Sequence, residues 1–155
     1  MLYKSILNVV VVAVVSAVFC IGCVVDPDDG RYEVVNQSSS WADAKREAER
    51  RGGYLAVITS DAEQRTIESL IRNGTRDRYW IGGYCESDRD WKWVTGERMS
   101  YTNWAPEAPN NYMNDENYVS ICRLPDNRWV FLLGQWEDEG ELGGRNNGYI
   151  IEFDR

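Results

Sequence analysis

Residues 103–119 read NWAPEAPNNYMNDENYV. Asparagines, acidic residues and two prolines sit here between aromatics. Pro106 and Pro109 deny the run a helix, and its polarity denies it a buried strand. A connection this long without structure of its own is usually either functional or disordered. The stretch therefore divides the chain as a long loop. Whether it is a metal site or a polar connection governs the reading of everything around it.

On its C-terminal side the pattern is that of strands. Residues 118–124 alternate apolar and polar, Pro125-Asp126-Asn127 makes a turn, 128–136 returns, and 148–153 is a last strand. On its N-terminal side, 79–84 and 91–94 read as strands, the second turning at Thr95-Gly96. Further back the period changes. After a short strand at 32–35, Ser40 caps a helix over 41–51 whose apolar face is Trp41, Ala44 and Ala48. Gly52-Gly53 ends that helix and 54–58 is a short apolar strand. Ser60 with Glu63 forms a capping box for a second helix that buries Ile67, Leu70 and Ile71, closed by Asn73-Gly74. Helices early and strands late give an α+β domain, two helices packed on small antiparallel sheets with a long loop region. Its first and last strands are placed to pair.

The chain has 155 residues, enough for one domain with a real core. Seven Trp and nine Tyr favour an aromatic-rich fold with strands. The formal net charge of −8 argues against nucleic-acid partners, which need Lys and Arg to displace counterions. There is no histidine, so Ser-His-Asp and Cys-His activation are excluded and the commonest zinc ligand is missing. The expectation is a binding protein and not an enzyme. A glycosidase built on Glu116 and Asp138 needs one acid with a raised pKa, and nothing in the sequence separates the two.

Residues 1–23 hold one positive charge, Lys4, and then an apolar run with the layout of a secretory signal. The run also approaches the ~20 residues that span a bilayer. Ile21-Gly22-Cys23 resembles the lipobox of bacterial lipoproteins, in which Cys23 would be lipidated, although Cys20 stands where that pattern prefers Leu. Lipoprotein, retained anchor and plain cleavage all remain open. Each places the domain outside the cytoplasm and confines membrane contact to this segment. Residues 24–30 form a short acidic linker, and 31–155 are the domain.

The landmarks of that domain are Trp41-x-x-Ala44, Gly52-Gly53-Tyr54-Leu55-Ala56-Val57-Ile58, Trp80-Ile81-Gly82-Gly83 and Trp91-x-Trp93-Val94-x-Gly96. Tyr101-x-Asn103-Trp104, Pro109-Asn110-Asn111, Glu116-Asn117, Trp136-x-Asp138 and Tyr149-Ile150-Ile151-Glu152 follow in order. Together they resemble the C-type lectin-like domain over essentially all of 31–155. The resemblance implies two disulfides, at Ala48 with Ile151 and at Tyr118 with roughly Glu141. All four positions lack cysteine, as in a disulfide-free bacterial-type branch. Cys85 and Cys122 remain. Antiparallel pairing of 80–85 with 118–122 holds them apart, as free buried thiols.

The resemblance also implies a calcium site that ligates two sugar hydroxyls, with a cis X-Pro bond in its loop. Matched position by position, Asn110, Glu116 and Asp138 agree with it. Ala108 replaces the loop Glu and Glu137 replaces the strand Asn, so the number of carboxylates is kept at three. Asn110, Glu116, Glu137 and Asp138 are thus the expected calcium and sugar ligands, and Glu107 is a neighbour able to substitute if the loop shifts. A second calcium site looks absent, with Glu86, Asp88 and Asp90 a solvated acidic turn. The implied function is a calcium-dependent module for carbohydrate or a glycoconjugate, displayed extracytoplasmically. The alternative is a calcium-independent protein-binding or adhesion module anchored on Tyr112 and Met113.

Overall fold

The computed structural model describes residues 31–86, 90–124, 132–141 and 146–154. The expectations for the N-terminal segment, the linker, Cys23, Asp88, the 125–127 turn and residues 128–131 lie outside the described residues.

The chain runs β1 (Tyr32–Val35), α1 (Trp41–Arg50), β2 (Tyr54–Leu55), α2 (Asp61–Ile71), β3 (Arg78–Tyr84) and β4 (Lys92–Trp93). A 3-10 turn (Tyr112–Asn114) then leads into β5 (Glu116–Cys122), β6 (Trp136–Gly140) and β7 (Gly148–Glu152). One seven-stranded sheet has the order β1-β7-β3-β5-β6, with β2 on β7 and β4 on β3. The expected α+β arrangement of two helices on largely antiparallel strands with a long loop region is present, with one difference in how the strands join. The strands form a single sheet, and β3 pairs β7 in parallel through Tyr79↔Gly148 and Trp80↔Tyr149. Two strands also differ from their expected bounds. β2 pairs only at Tyr54 and Leu55, although Ala56, Val57 and Ile58 are buried beyond it. Among the described residues the returning strand is Trp136–Gly140: residues 133–134 turn, and the acidic Glu137-Asp138-Glu139 run pairs with β5.

Both helix caps form from the residues that the sequence offers. Ser40 Oγ accepts from the Asp43 amide and Ser60 Oγ from the Glu63 amide, filling donors that the first turn leaves open. The Glu63 carboxylate reaches past the cap to the Thr59 amide and hydroxyl, both at 2.8 Å, one residue earlier than a capping box requires. α2 buries Ile67 and Ile71 as expected, but Leu70 is only half-buried. Gln64 is buried in addition, because it accepts from Trp136 Nε1 and donates to the Gly134 carbonyl.

The sheet has a core on each face. One gathers Trp41, Ala44, Ala48, Leu55, Trp80, Tyr149 and Ile151 against α1. The other gathers Ile67, Ile71, Tyr79, Ile81, Trp93, Val119, Ile121, Trp136 and Ile150 against α2 and the loops. Gly82 of the Trp-Ile-Gly-Gly run lies where β3 crosses the chain after β2. A Cβ there would stand 2.5 Å from the Leu55 carbonyl oxygen.

The positions that the family resemblance gives to disulfides are closed by packing. Ala48 and Ile151 sit fully buried in the same cluster. Tyr118 stacks on Trp41 at 4.6 Å and its hydroxyl donates to Glu141. Trp80, Trp93 and Trp136 are fully buried. At ~25 cal/mol per Å2, ~150–250 Å2 each is worth ~4–6 kcal/mol as an upper estimate. A disulfide is worth ~2–4 kcal/mol, so each buried indole carries a comparable weight. Cys85 and Cys122 are buried thiols outside any disulfide, at opposite ends of the β3–β5 ladder, where Cys122 lies opposite Arg78.

Candidate ligand-binding site

The long loop is fixed first at its base. Trp136 donates its amide to the Asn103 carbonyl and Ala105 donates to the Trp136 carbonyl, both at 2.8 Å. Trp104 packs edge-on against Trp136 and tilted against Trp91. Trp104 is therefore largely spent on packing, as its place in the motif suggests. Beyond this base the chain turns at Ala105–Ala108, passes a cis Ala108-Pro109 bond, and enters the Asn-rich segment.

Two carboxylates organise that segment. Asp138 on β6 is completely buried, yet lies against the loop. Its Oδ1 accepts the Asn110 amide at 3.0 Å and its Oδ2 the Asn111 amide at 2.6 Å. Glu116, the first residue of β5, accepts the Tyr112 amide at 2.7 Å, and its own amide donates to Asn111 Oδ1 at 3.2 Å. Hydrogen bonds to a carboxylate are charge-assisted, so these anchors are stronger than ordinary turn contacts. They hold a backbone that the sequence alone would not choose. Glu107, Asn111, Met113 and Asn114 all have φ between 52° and 71°. For a bulky side chain such as Met113 the left-handed region costs ~1–2 kcal/mol. The price in exposure is visible too: Tyr112 and Met113 are 64% and 77% exposed.

Asn110, Glu116 and Asp138 are thus brought together around residues 110–116. Glu137 is not brought to them. Side chains alternate along a strand, so Glu137 and Glu139 leave the opposite face of β6 from Asp138. Both pair with Arg78, which lies on β3. Glu107 is exposed on the approach to the cis bond. Asp90 pairs with Arg98 and Lys92, as a solvated turn should. Among the described residues no group of three or more acidic or cysteine side chains converges as a metal cluster.

The electrostatics follow from this crowding. Burial pushes the Glu116 carboxyl above its ordinary value, and Asp138 and Glu139 add to the push, against the Tyr112 amide. Glu137 is pushed up to about 7, chiefly by burial. Arg78 opposes that rise but Glu139, Glu116 and Asp138 reinforce it. A close ion pair and a raised carboxyl coexist because one guanidinium serves two part-buried acids.

Sequence reasoning missed Arg78. It opens a strand of aromatic and small residues, and no periodicity marks a lone basic residue as the partner of acids some sixty positions later. It also undervalued Asn111, whose side chain accepts from Glu116 instead of facing a metal.

Comparison with known proteins agrees with this architecture. The Lectin C-type domain family matches residues 37–139. Human C-type mannose receptor 2 is 39% identical over 115 residues, which is 72% of this chain and 8% of that protein. Halomucin of Haloquadratum walsbyi is 32% identical over 142 residues, 84% of this chain and 2% of its own length. The mouse scavenger receptor C-type lectin carbohydrate-recognition domain superposes with a TM-score of 0.64 at 26% identity, covering 80% of this chain and 89% of that one. The chain spans between 2% and 53% of the length of the curated relatives it matches. The chain belongs to the C-type lectin domain family.

Proposed function

We propose that the domain is an extracytoplasmic carbohydrate-binding module that takes sugar hydroxyls at the face built by Asn110, Glu116 and Asp138. The observation that carries this reading is their convergence. Residues from a loop, from β5 and from β6 meet at one segment, which is held in a strained conformation by the carboxylates themselves. Strained, over-determined backbone clusters at ligand sites. Names of relatives support the ligand class: one is a mannose receptor and another a carbohydrate-recognition domain.

The donor set suits a hard cation. Two carboxylates and side-chain amides offer only oxygen, which fits calcium and not a thiolate- or imidazole-seeking metal. Calcium takes about six to eight oxygens. Asn110 offers one and each carboxylate two, Ala108 offers none, and Glu137 faces Arg78. The fit is that of a weak site, in the ~10⁻⁴–10⁻³ M range of extracellular modules, completed by water or ligand hydroxyls. Bound there, calcium would supply positive charge to hydroxyl oxygens. The side chains have their own tasks. The Asn110 amide donates and accepts, Glu116 accepts from hydroxyls, Asp138 fixes the loop from beneath, and the exposed Tyr112 ring offers an apolar face to a sugar.

Exposure of Tyr112 and Met113 favours one second reading, a calcium-independent protein-binding or adhesion module, because aromatic and Met side chains anchor protein interfaces. Calorimetric titration with calcium separates the two. The carbohydrate reading predicts saturable heat that vanishes in Asp138→Ala. Absence of heat from the unsubstituted protein favours the second reading.

A further inference from the structure

Strand β6 is an improbable sequence for a strand. Three consecutive acids, Glu137-Asp138-Glu139, occupy most of its five residues, and acidic residues are depleted in strands. It also lies at one end of the sheet order, with β5 as its strand neighbour. Two of the three acids point to one face, two residues apart, and are only 19% and 10% exposed. Like charges so placed repel, and burial amplifies the repulsion.

A single cation answers them. Arg78 reaches from β3 past β5, two strand spacings or ~9–10 Å, to touch both Glu137 and Glu139. Glu139 has further support, from Ser120 Oγ at 2.6 Å and Asn147 Nδ2 at 3.1 Å. Glu137 is held by Arg78. Between the two clamped acids sits Asp138, whose carboxylate leaves the other face and accepts the Asn110 and Asn111 amides.

We propose that Arg78 is the positioning residue of the ligand face: by clamping Glu137 and Glu139 it fixes β6 and so holds Asp138 beneath the loop. Without the guanidinium, two part-buried carboxylates face each other and separate. A tilt of β6 that relieves them carries Asp138 away from both amides. Glu137 acts here as the grip of an internal cation, which explains why an acid at this position does not add a ligand to the loop. The inference uses the reading of residues 110–116 as the ligand face, but it concerns the loop's anchoring and is tested without any ligand.

The test is backbone amide hydrogen exchange by NMR on the full chain in chelator. Arg78→Gln should speed exchange at Asn110 and Asn111 by about tenfold or more, the loss of a charged hydrogen bond, and shift their resonances. Arg31→Gln is the control. It breaks the Glu152 clamp, which joins Arg31 before β1 to β7, away from the loop, and should lower melting without moving those amides. Arg78→Lys should restore part of the protection. Arg78→Gln combined with Glu137→Gln and Glu139→Gln should restore most of it, because neutral amides do not repel. Unchanged protection of Asn110 and Asn111 in Arg78→Gln overturns the proposal, as does equal loss in Arg31→Gln. If Arg78→Gln fails to fold, the neutral triple variant decides: lost protection in that folded protein overturns the role assigned to Arg78. Failed sugar binding with protected amides would instead count against the carbohydrate reading.

Discussion

Replacing Asp138 by Asn changes one atom's chemistry at the point where the loop is fastened. Asp138 is fully buried and accepts two loop amides, at 3.0 and 2.6 Å. An Asn of the same shape keeps one oxygen and turns an NH2 toward the other amide, so one donor loses its acceptor and meets a donor. A hydrogen bond to a charged group is worth ~1.5–3 kcal/mol, and stranding a buried N–H costs ~1–3 kcal/mol. Losing the negative charge relieves Glu116, which Asp138 pushes upward, but that group is only part-buried and the relief is below ~1 kcal/mol. The loss therefore wins, at about 2–4 kcal/mol. For a domain near this size each kcal/mol moves the midpoint by roughly 3–5 °C, so melting should fall by about 6–20 °C. Circular dichroism melts in chelator isolate this anchoring from any cation. A fall of less than ~2 °C would refute the claim that Asp138 fastens the loop.

Other predictions rest on other parts of the fold. Glu137 sits near 7 in the folded protein against about 4.5 unfolded, so the folded state holds the extra proton between those values. Its contribution is full below pH ~4.5 and is lost as pH rises through ~7. After discounting for partial exposure, urea midpoints in chelator should report ~1–2 kcal/mol more stability at pH 5 than at pH 8. Glu137→Gln should flatten that slope, and an unchanged slope would contradict the assignment. Gly82→Ala drives a Cβ to 2.5 Å from the Leu55 carbonyl, a backbone atom that cannot swing aside. It should cost about 3 kcal/mol in denaturant melts, and a near-neutral result would mean that β3 and the chain after β2 do not cross this closely. Cys85 and Cys122 are buried thiols outside any disulfide, so peptide mass mapping should show both alkylated without prior reduction, but only after unfolding. A mass gain that requires reduction would reveal a bridge instead.

Much of the fold is legible because its signals are local. Ser40 and Ser60 announce caps that the structure forms, and Trp41, Ala44 and Ala48 repeat at the helical period that buries them. The pairing of β1 with β7 follows from placing the ends of the domain together. What the pattern does not carry is sheet assembly. β2 and β4 are readable as short strands, but nothing in them says which neighbour they join, and the parallel β3–β7 contact joins residues about seventy apart. The start of β6 was hidden by composition, since Glu137-Asp138-Glu139 looks like a solvated run until Arg78 is seen beneath it. At the candidate site, motif positions singled out Asn110, Glu116 and Asp138, which the fold places beside one segment. The orientation of Glu137 was not, because charge counting ignores strand alternation. Asn111 and Met113 show their importance only as φ values.

The central claim is that residues 110–116 bind sugar. Its most direct test is glycan-array binding by the unsubstituted protein in millimolar calcium and in excess chelator, beside Asn110→Ala and Tyr112→Ala. Both substituted side chains are exposed, so neither variant threatens the fold. The account predicts retention of a defined glycan class in calcium, loss of it in chelator, and weakening by both substitutions. Glycan binding that survives chelator and both substitutions unchanged, or no glycan binding under any of these conditions, would contradict it.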